Sequence, residues 1–305
     1  MIPVADKLII NDIPLSELGT VLAPDSYKSV LTWAKFKSLR SNDWAEFNFA
    51  EYDLSKPTLD KRTVTLNFHA NGESGYQRFI NYLLQYVYSF FEFPELGVTL
   101  RMRVDSNSLN HLGKWQSFSI SFIDDAPYFQ VSPALSEMHF NDTNYKLDGI
   151  DLARYGVTVL QDSLKSFLHI AQTKERLTIA ENSIDGAIYD SNGEIRLKIN
   201  SFTLKFLIRA TNLSSAVRNY YYLFNVLKSP NKRNLLVIVD GGVYKTECFY
   251  SSSSVQSVHN KLASGLAGIA FDVQFTTTDK DELRFLADDD KEYKLLTDNN
   301  ESLIS

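Results

Sequence analysis

The segment IPLSELGTVLAPDSYKSVL, residues 13–31, returns as IDLARYGVTVLQDSLKSFL at residues 150–168. Without a gap, Ile13, Leu15, Gly19, Asp25, Ser26, Lys28, Ser29 and Leu31 stand opposite Ile150, Leu152, Gly156, Asp162, Ser163, Lys165, Ser166 and Leu168. After a one-residue shift the match continues, Thr65, Leu66 and Phe68 with Thr203, Leu204 and Phe206, and Asn81-Tyr82 with Asn219-Tyr220. Self-similarity at a fixed offset marks a duplicated structural unit, and this offset is far longer than a solenoid repeat. It is the length of one domain. The chain reads as two tandem domains of one fold, residues 1–130 and 148–279. Residues 131–147 form the linker and residues 280–305 an acidic C-terminal tail.

At 305 residues each domain can bury its own core. Charged residues at 22% and hydrophobic residues at 44% are those of a soluble globular chain. Twenty Phe and sixteen Tyr favour β-rich packing and large contact surfaces. The formal net charge of −6, with no basic block, argues against a protein that grips phosphates. Cys248 is the sole cysteine, so no intramolecular disulfide or multi-cysteine zinc site can form. The opening MIPVADKLIIND lacks the basic and apolar regions of a signal peptide, and no apolar run is long enough for a membrane span. The sequons at Asn141, Asn212 and Asn300 therefore carry no weight.

Hydrophobic spacing then places elements. Leu8-Ile9-Ile10 is a short apolar opening. Val64, Leu66 and Phe68 alternate with polar neighbours and read as a half-buried strand that Asn71-Gly72 breaks. Tyr76, Phe79, Ile80, Leu83, Leu84, Val87, Phe90 and Phe91 recur at three- and four-residue spacing and predict a helix from about Ser74 to Phe91, stopped by Pro94. Alternating strands follow at Val98 to Val104 and at Phe118 to Phe122. In the second half, Ser191-Asn192-Gly193 predicts a hairpin between Ile188-Tyr189 and Ile195 to Ile199. Leu204 to Ile208 is a strand, and Leu213, Val217, Tyr220, Phe224 and Leu227 form a helical stripe before Pro230. Asp240-Gly241-Gly242 turns a second hairpin, Ser251 to Ser254 reads as an exposed loop or arm, and Phe271, Val273 and Phe275 close the domain. The fold class is mainly β with one helix per domain, two tandem β-sandwich or split-barrel domains.

Motifs for chemistry are scarce. His69, His111, His139, His169 and His259 have no metal-site spacing. No nucleotide-loop or nucleophile-elbow pattern occurs, and Gly265 and Gly268 precede a strand, the wrong order for a phosphate loop. Asp124-Asp125 after a strand could hold a cation or work as acid and base, but such a pair more commonly forms a turn. Asp288 to Asp290 lacks the Gly and Glu of a calcium loop. The tail reads as solvated surface, or as a docking segment through Phe285, Leu286, Tyr293, Leu295 and Leu296. The expectation is a non-enzyme with no catalytic, metal or cofactor-binding residues.

Four elements in order carry a resemblance: Arg62 to Phe68, the helix from about Ser74, the strand Val98 to Val104, and Phe118 to Phe122 followed by Asp125-Ala126-Pro127-Tyr128. This pattern resembles the tube-like domain of phage distal tail (baseplate) proteins and their tail-tube relatives, here duplicated. Ala126 interrupts the family's Asp-Pro step, and the second copy has no counterpart of Pro127-Tyr128. The resemblance implies a structural protein of the virion tail, assembled in the host cytoplasm. It implies a ring of copies of itself, joined by exposed strand edges and lining a channel that DNA passes through without being held. Neighbours would be the tail tube and baseplate or hub proteins, with no membrane insertion. Three chains would give a pseudo-sixfold ring as in a hub, and six a distal-tail ring; the sequence leaves both open. Alternatives are a carbohydrate- or receptor-binding β-sandwich of the tail tip using Trp33, Trp44 and Trp115, which have no counterparts in the second domain; a tip hydrolase; and a tube or hub protein of a contractile injection system.

Overall fold

The computed structural model describes residues 7–44, 50–105, 117–127, 143–168, 172–175, 178–179, 185–186, 188–189, 196–239, 242–262, 264–278 and 284–286. In the first unit these are β1 (Ile9–Ile10), β2 (Ile13–Pro14), β3 (Thr20–Leu22), α1 (Ser26–Leu31), β4 (Ser41–Asp43), β5 (Ala50–Tyr52), β6 (Arg62–Ala70), α2 (Gly72–Leu83), β7 (Ser89–Phe93), β8 (Val98–Val104) and β9 (Phe118–Asp124). In the second they are β10 (Tyr145–Leu147), β11 (Ile150–Asp151), β12 (Val157–Val159), α3 (Ser163–Phe167), β13 (Thr178–Ile179), β14 (Ile188–Tyr189), β15 (Ser201–Ala210), α4 (Leu213–Leu227), β16 (Arg233–Val239), β17 (Gly242–His259), β18 (Ala267–Thr277) and β19 (Arg284–Leu286). The first sheet runs β2-β1-β7-β8-β9-β6-β3 and the second β11-β10-β16-β17-β18-β15-β12. Strand for strand these are the same order. The protein is two tandem, mainly β units, each a curled sheet carrying one long helix, α2 or α4.

Alternation decides which strand face is buried. On β6 and β9, Val64, Leu66, Phe68, Phe118, Ile120 and Phe122 are buried, and Thr63, Thr65 and Ser119 between them are exposed. β15 and β18 repeat this with Phe202, Leu204, Phe206, Ile269, Phe271 and Phe275 in the core. The small hairpins β4–β5 and β13–β14 also correspond, and beside them lie isolated bridges Phe36–Leu59 and Thr173–Leu197 at matching positions.

The repeated segment has a shared mechanical task. Gly19 and Gly156 both take a left-handed turn (φ 74° and 73°), as do Asp25 and Asp162 (φ 69° and 70°). Short polar side chains tolerate that conformation better than most. These turns swing α1 and α3 over the outer edge of β6 and β15, where β3 and β12 have stopped pairing. There the serine hydroxyls stand in for a neighbouring strand. The Asn67 and Thr65 amides donate to Ser26 Oγ (3.2 Å) and Ser29 Oγ (2.7 Å). The Lys205 and Thr203 amides donate to Ser163 Oγ (2.9 Å) and Ser166 Oγ (2.8 Å). Edge amides left open invite pairing with another chain, and the conserved spacing of the repeat closes them twice.

Several expectations meet the structure differently. The helix expected to reach Phe91 ends at Leu83, and Ser89–Phe93 is β7. Aromatics at 86–93 satisfy both a helical and a two-residue period; the strand prevails because β7 is laddered on both sides, to β1 and β8. Ser89, Phe91 and Phe93 are buried while Phe90 and Glu92 are exposed, and Pro94 therefore follows a strand. Ser251 to Ser254 are not a loop but part of the 18-residue β17, paired to β18 across two register shifts. Ile188–Tyr189 pairs with Thr178–Ile179; the Ser191-Asn192-Gly193 turn lies outside the described residues, as does Asp240-Gly241. Tyr145–Leu147, assigned to the linker by sequence, pair with β16 as part of the second sheet. The tail's Arg284–Leu286 pairs with Lys245–Val243 of β17, while Asp288 to Asp290 and residues 293–296 lie outside the described residues. Among the described residues no helix is long and apolar enough to cross a membrane.

The units share one continuous core. After α1 the chain leaves the first unit and seats Trp33 in the second. The indole stacks on Tyr220 (4.5 Å between centroids) and Phe224 (4.8 Å) of α4, and meets Phe271 and Tyr250 edge-on. The Trp33 amide donates to Ser253 Oγ (3.1 Å), and the Tyr250 hydroxyl donates to the Ala34 carbonyl (3.0 Å).

Candidate functional site

The strands that bury Leu and Phe on one side carry hydroxyls and amides on the other. In the first unit Thr65 and Ser121 share a hydrogen bond (2.9 Å), and Ser119 Oγ donates to Asn67 Oδ1 (2.5 Å). In the second, Ser252 Oγ donates to Gln274 Oε1 (2.9 Å), and Ser251 bonds Thr276 (2.5 Å). The result is a polar carpet on each sheet, though not residue for residue: the Asn67–Ser119 pair of the first unit is answered by Lys205–Asp272 in the second. The charges on and beside it have local partners. Lys205 pairs with Asp162 (3.2 Å), and Gln256 Nε2 donates to the Asp272 carboxylate (2.9 Å). In the first unit Arg101 lies over the Tyr88 ring (4.3 Å), and Arg103 Nε donates to Asp125 Oδ2 (2.7 Å).

Asp124 and Asp125 do not face a common site. Asp124 is buried, and its Oδ2 accepts from Arg62 Nε (2.9 Å). Arg62 Nη1 also donates to the carbonyls of Val30 (2.9 Å) and Thr32 (2.6 Å). This brace fixes the chain just before Trp33 enters the second unit. Asp125 accepts from Arg103 and from the Tyr88 hydroxyl (2.9 Å). Hydrogen bonding from Arg103, more than the opposing effect of burial, holds its carboxyl below the usual carboxylate range. A general acid needs the opposite shift. Burial pushes the Cys248 thiol up, away from nucleophilic use.

His69 and His259 are exposed, the latter 2.9 Å from Ser257 Oγ; His111, His139 and His169 lie outside the described residues. Among the described residues no group of three His, Cys, Asp or Glu could hold a metal ion. Gly265 turns the chain between β17 and β18, and Gly268 sits within β18. Of the tryptophans proposed for sugar stacking, Trp33 is spent on the core, Trp44 is 55% exposed, and Trp115 lies outside the described residues. Trp44 sits where Lys174 Nζ reaches from the second unit to the Trp44 carbonyl (2.7 Å) and Asp43 (2.5 Å).

Sequence reasoning missed the role of Trp33. Its signal was the mismatch itself: Trp33 stands where the second copy has Ile170.

No family model and no curated protein matches the chain. A solved structure similar to it is the Dit protein of phage SPP1, described as a paradigm of the hub adsorption apparatus in phages that infect Gram-positive hosts. That likeness covers 88% of this chain and 97% of the other, at 10% identity and a TM-score of 0.29.

Proposed function

We propose that the chain is a non-catalytic structural component of a phage or phage-like tail, a distal-tail, baseplate or hub ring element that continues the tail tube. The observation that carries this reading is the duplicated sheet, one strand order in both units, with hydroxyl and amide side chains on the face turned away from each core. Two units of one fold in a fixed mutual position are a ready-made arc. Copies of such an arc, joined by a contact that is not self-complementary, close into a ring when the rotation permits. With the hydroxyl faces turned to the lumen, DNA would meet a wet, weakly binding wall, and the net charge of −6 keeps it moving.

In this reading the two units are the two tube-like domains, the second beginning with β10 at Tyr145. The chain's partners are its own copies, in threefold or sixfold array, with the tail tube above and baseplate or hub proteins below; it works without cofactors in the virion tail. The sequence pattern from Arg62 to Pro127 supports the assignment, because it follows the order of the tube-like family domain. Negative-stain imaging of the purified chain tests it. Rings with an open centre and three- or sixfold class averages are expected. Particles without a central opening at every concentration contradict it.

A further inference from the structure

The two small hairpins hold the same place in each unit but differ in chemistry. In β13–β14 the facing pairs are Thr178–Tyr189 and Ile179–Ile188. In β4–β5 they are Ser41–Tyr52, Asn42–Glu51 and Asp43–Ala50. Successive strand residues point to opposite faces, so β4–β5 has two unlike sides. One side is fixed to the second unit. There Tyr52 packs its ring on Phe249 of β17 (4.8 Å between centroids) and Ala50 is buried. Lys174 Nζ donates to Asp43 (2.5 Å) and to the Trp44 carbonyl (2.7 Å). The other side faces solvent. It carries Asn42 opposite Glu51, with Arg40 and Asp53 towards one end and Trp44 towards the other. The Asp53 amide donates to the Arg40 carbonyl (3.0 Å), which continues the pairing. An open cleft of about 620 Å³ is lined by Arg40, Ser41, Asn42, Glu51, Tyr52 and Asp53, a volume within the range of small-ligand sites.

We propose that this cleft binds an uncharged oligosaccharide. A sugar ring presents hydroxyls around its rim and C–H groups on its faces. Glu51 accepts from hydroxyls, and the Asn42 amide both donates and accepts, so the facing pair can hold two neighbouring hydroxyls of one ring. Among the described residues neither side chain is spent on another hydrogen bond. Asp53 adds a further acceptor. Its carboxyl is held below the usual carboxylate range by hydrogen bonds from the Ser55 hydroxyl (2.6 Å) and amide (3.1 Å), and more weakly by the Arg40 charge. Trp44 is 55% exposed, and an indole offers a broad apolar face with a polar edge, the shape that a C–H face stacks on. Along the strand, Arg40 to Trp44 spans about 13 Å, longer than a single sugar ring.

Two carboxylates against one guanidinium leave an excess of negative charge in the cleft, which repels acidic sugars and phosphates. The anchors at Tyr52 and Lys174 hold the platform before a ligand arrives, which lowers the ordering cost of binding. The second hairpin has no acid–amide pair in its register, so one site per chain is expected. β4–β5 is a sheet of its own, and the proposal does not depend on the ring reading above.

An array of neutral, amino and acidic oligosaccharides probed with the full chain tests it, followed by saturation-transfer NMR titration of a retained sugar. Retention of neutral sugars is expected. Trp44→Ala and Glu51→Gln should each lower the affinity roughly tenfold or more, as expected for loss of a hydrogen bond to a charged group or of a stacking surface. Both side chains are exposed, so melting stays that of wild type, and Glu51→Gln changes the acceptor while keeping its shape. Glu73→Gln, exposed on α2, is the control and should bind as wild type does. An array that retains no neutral sugar, or that retains acidic sugars in preference, overturns the proposal. Wild-type affinity in either Trp44→Ala or Glu51→Gln overturns it as well.

Discussion

Trp33→Ala is the sharpest probe of how the two units hold each other. The indole is 2% exposed and touches four aromatic rings of the second unit, two stacked and two edge-on. Truncation removes the transfer free energy of a buried indole and leaves a cavity that Tyr220, Phe224, Tyr250 and Phe271 are too constrained to fill. Core Trp-to-Ala changes cost about 3–5 kcal/mol, and ring pairs add about 0.5–1.5 kcal/mol beyond area burial, so a loss of roughly 4 kcal/mol is expected. With a urea slope near 3 kcal/mol per M, the midpoint falls by more than ~1 M. Far-UV dichroism should persist in native buffer, because neither sheet uses the indole in a ladder, while the near-UV band of a stacked indole disappears. Trp44→Ala is the control: its ring is 55% exposed, and exposed substitutions stay within about 0.5 kcal/mol. Equal midpoints for the two variants would refute the docking of the units through Trp33.

The Arg62–Asp124 pair is buried, so Arg62→Leu or Asp124→Asn alone should cost about 3–5 kcal/mol in denaturant titration, while the double change to leucines recovers most of it. An alanine methyl at Gly19 would sit 2.7 Å from Gly75 Cα at φ 74°, whereas one at Gly149 meets nothing at φ 81°; Gly149→Ala should cost only the left-handed penalty of about 1–2 kcal/mol, and Gly19→Ala clearly more by thermal melting. Asp125 has a depressed folded pKa, so its contribution is fully present above the unfolded value of about 3.9 and is lost as pH falls through the folded value. Stability of Asp125→Asn measured from pH 2 to 6 should accordingly converge on wild type at the acid end and separate from it above about pH 4.

Parts of this architecture are legible from one chain because local pattern and tertiary burial agree. β6, β9, β15 and β18 alternate cleanly since each has one core face and one wet face, and α4 has an apolar stripe with an Asn212 cap whose Oδ1 accepts from the Ser215 amide (2.8 Å). β7 is not legible because its aromatics fit two periods, and partners at Ile9–Ile10 and Val98–Met102 decide between them. The serine run in β17 reads as a loop because small polar residues are the currency of turns; its strand character comes from pairing with β18 on a bulged register. Asp124 reads as a possible acid because its partner Arg62 is distant in sequence. The polar carpet was visible as alternating Ser and Thr, but nothing in local sequence shows that Trp33 serves the other unit.

Light scattering of the purified chain across a wide concentration range tests the ring most directly. The account predicts a discrete species of three or six chains, built on the 34.7 kDa protomer, with no stable twofold dimer. A closed dimer, or a protomer that stays single at every concentration, would contradict it.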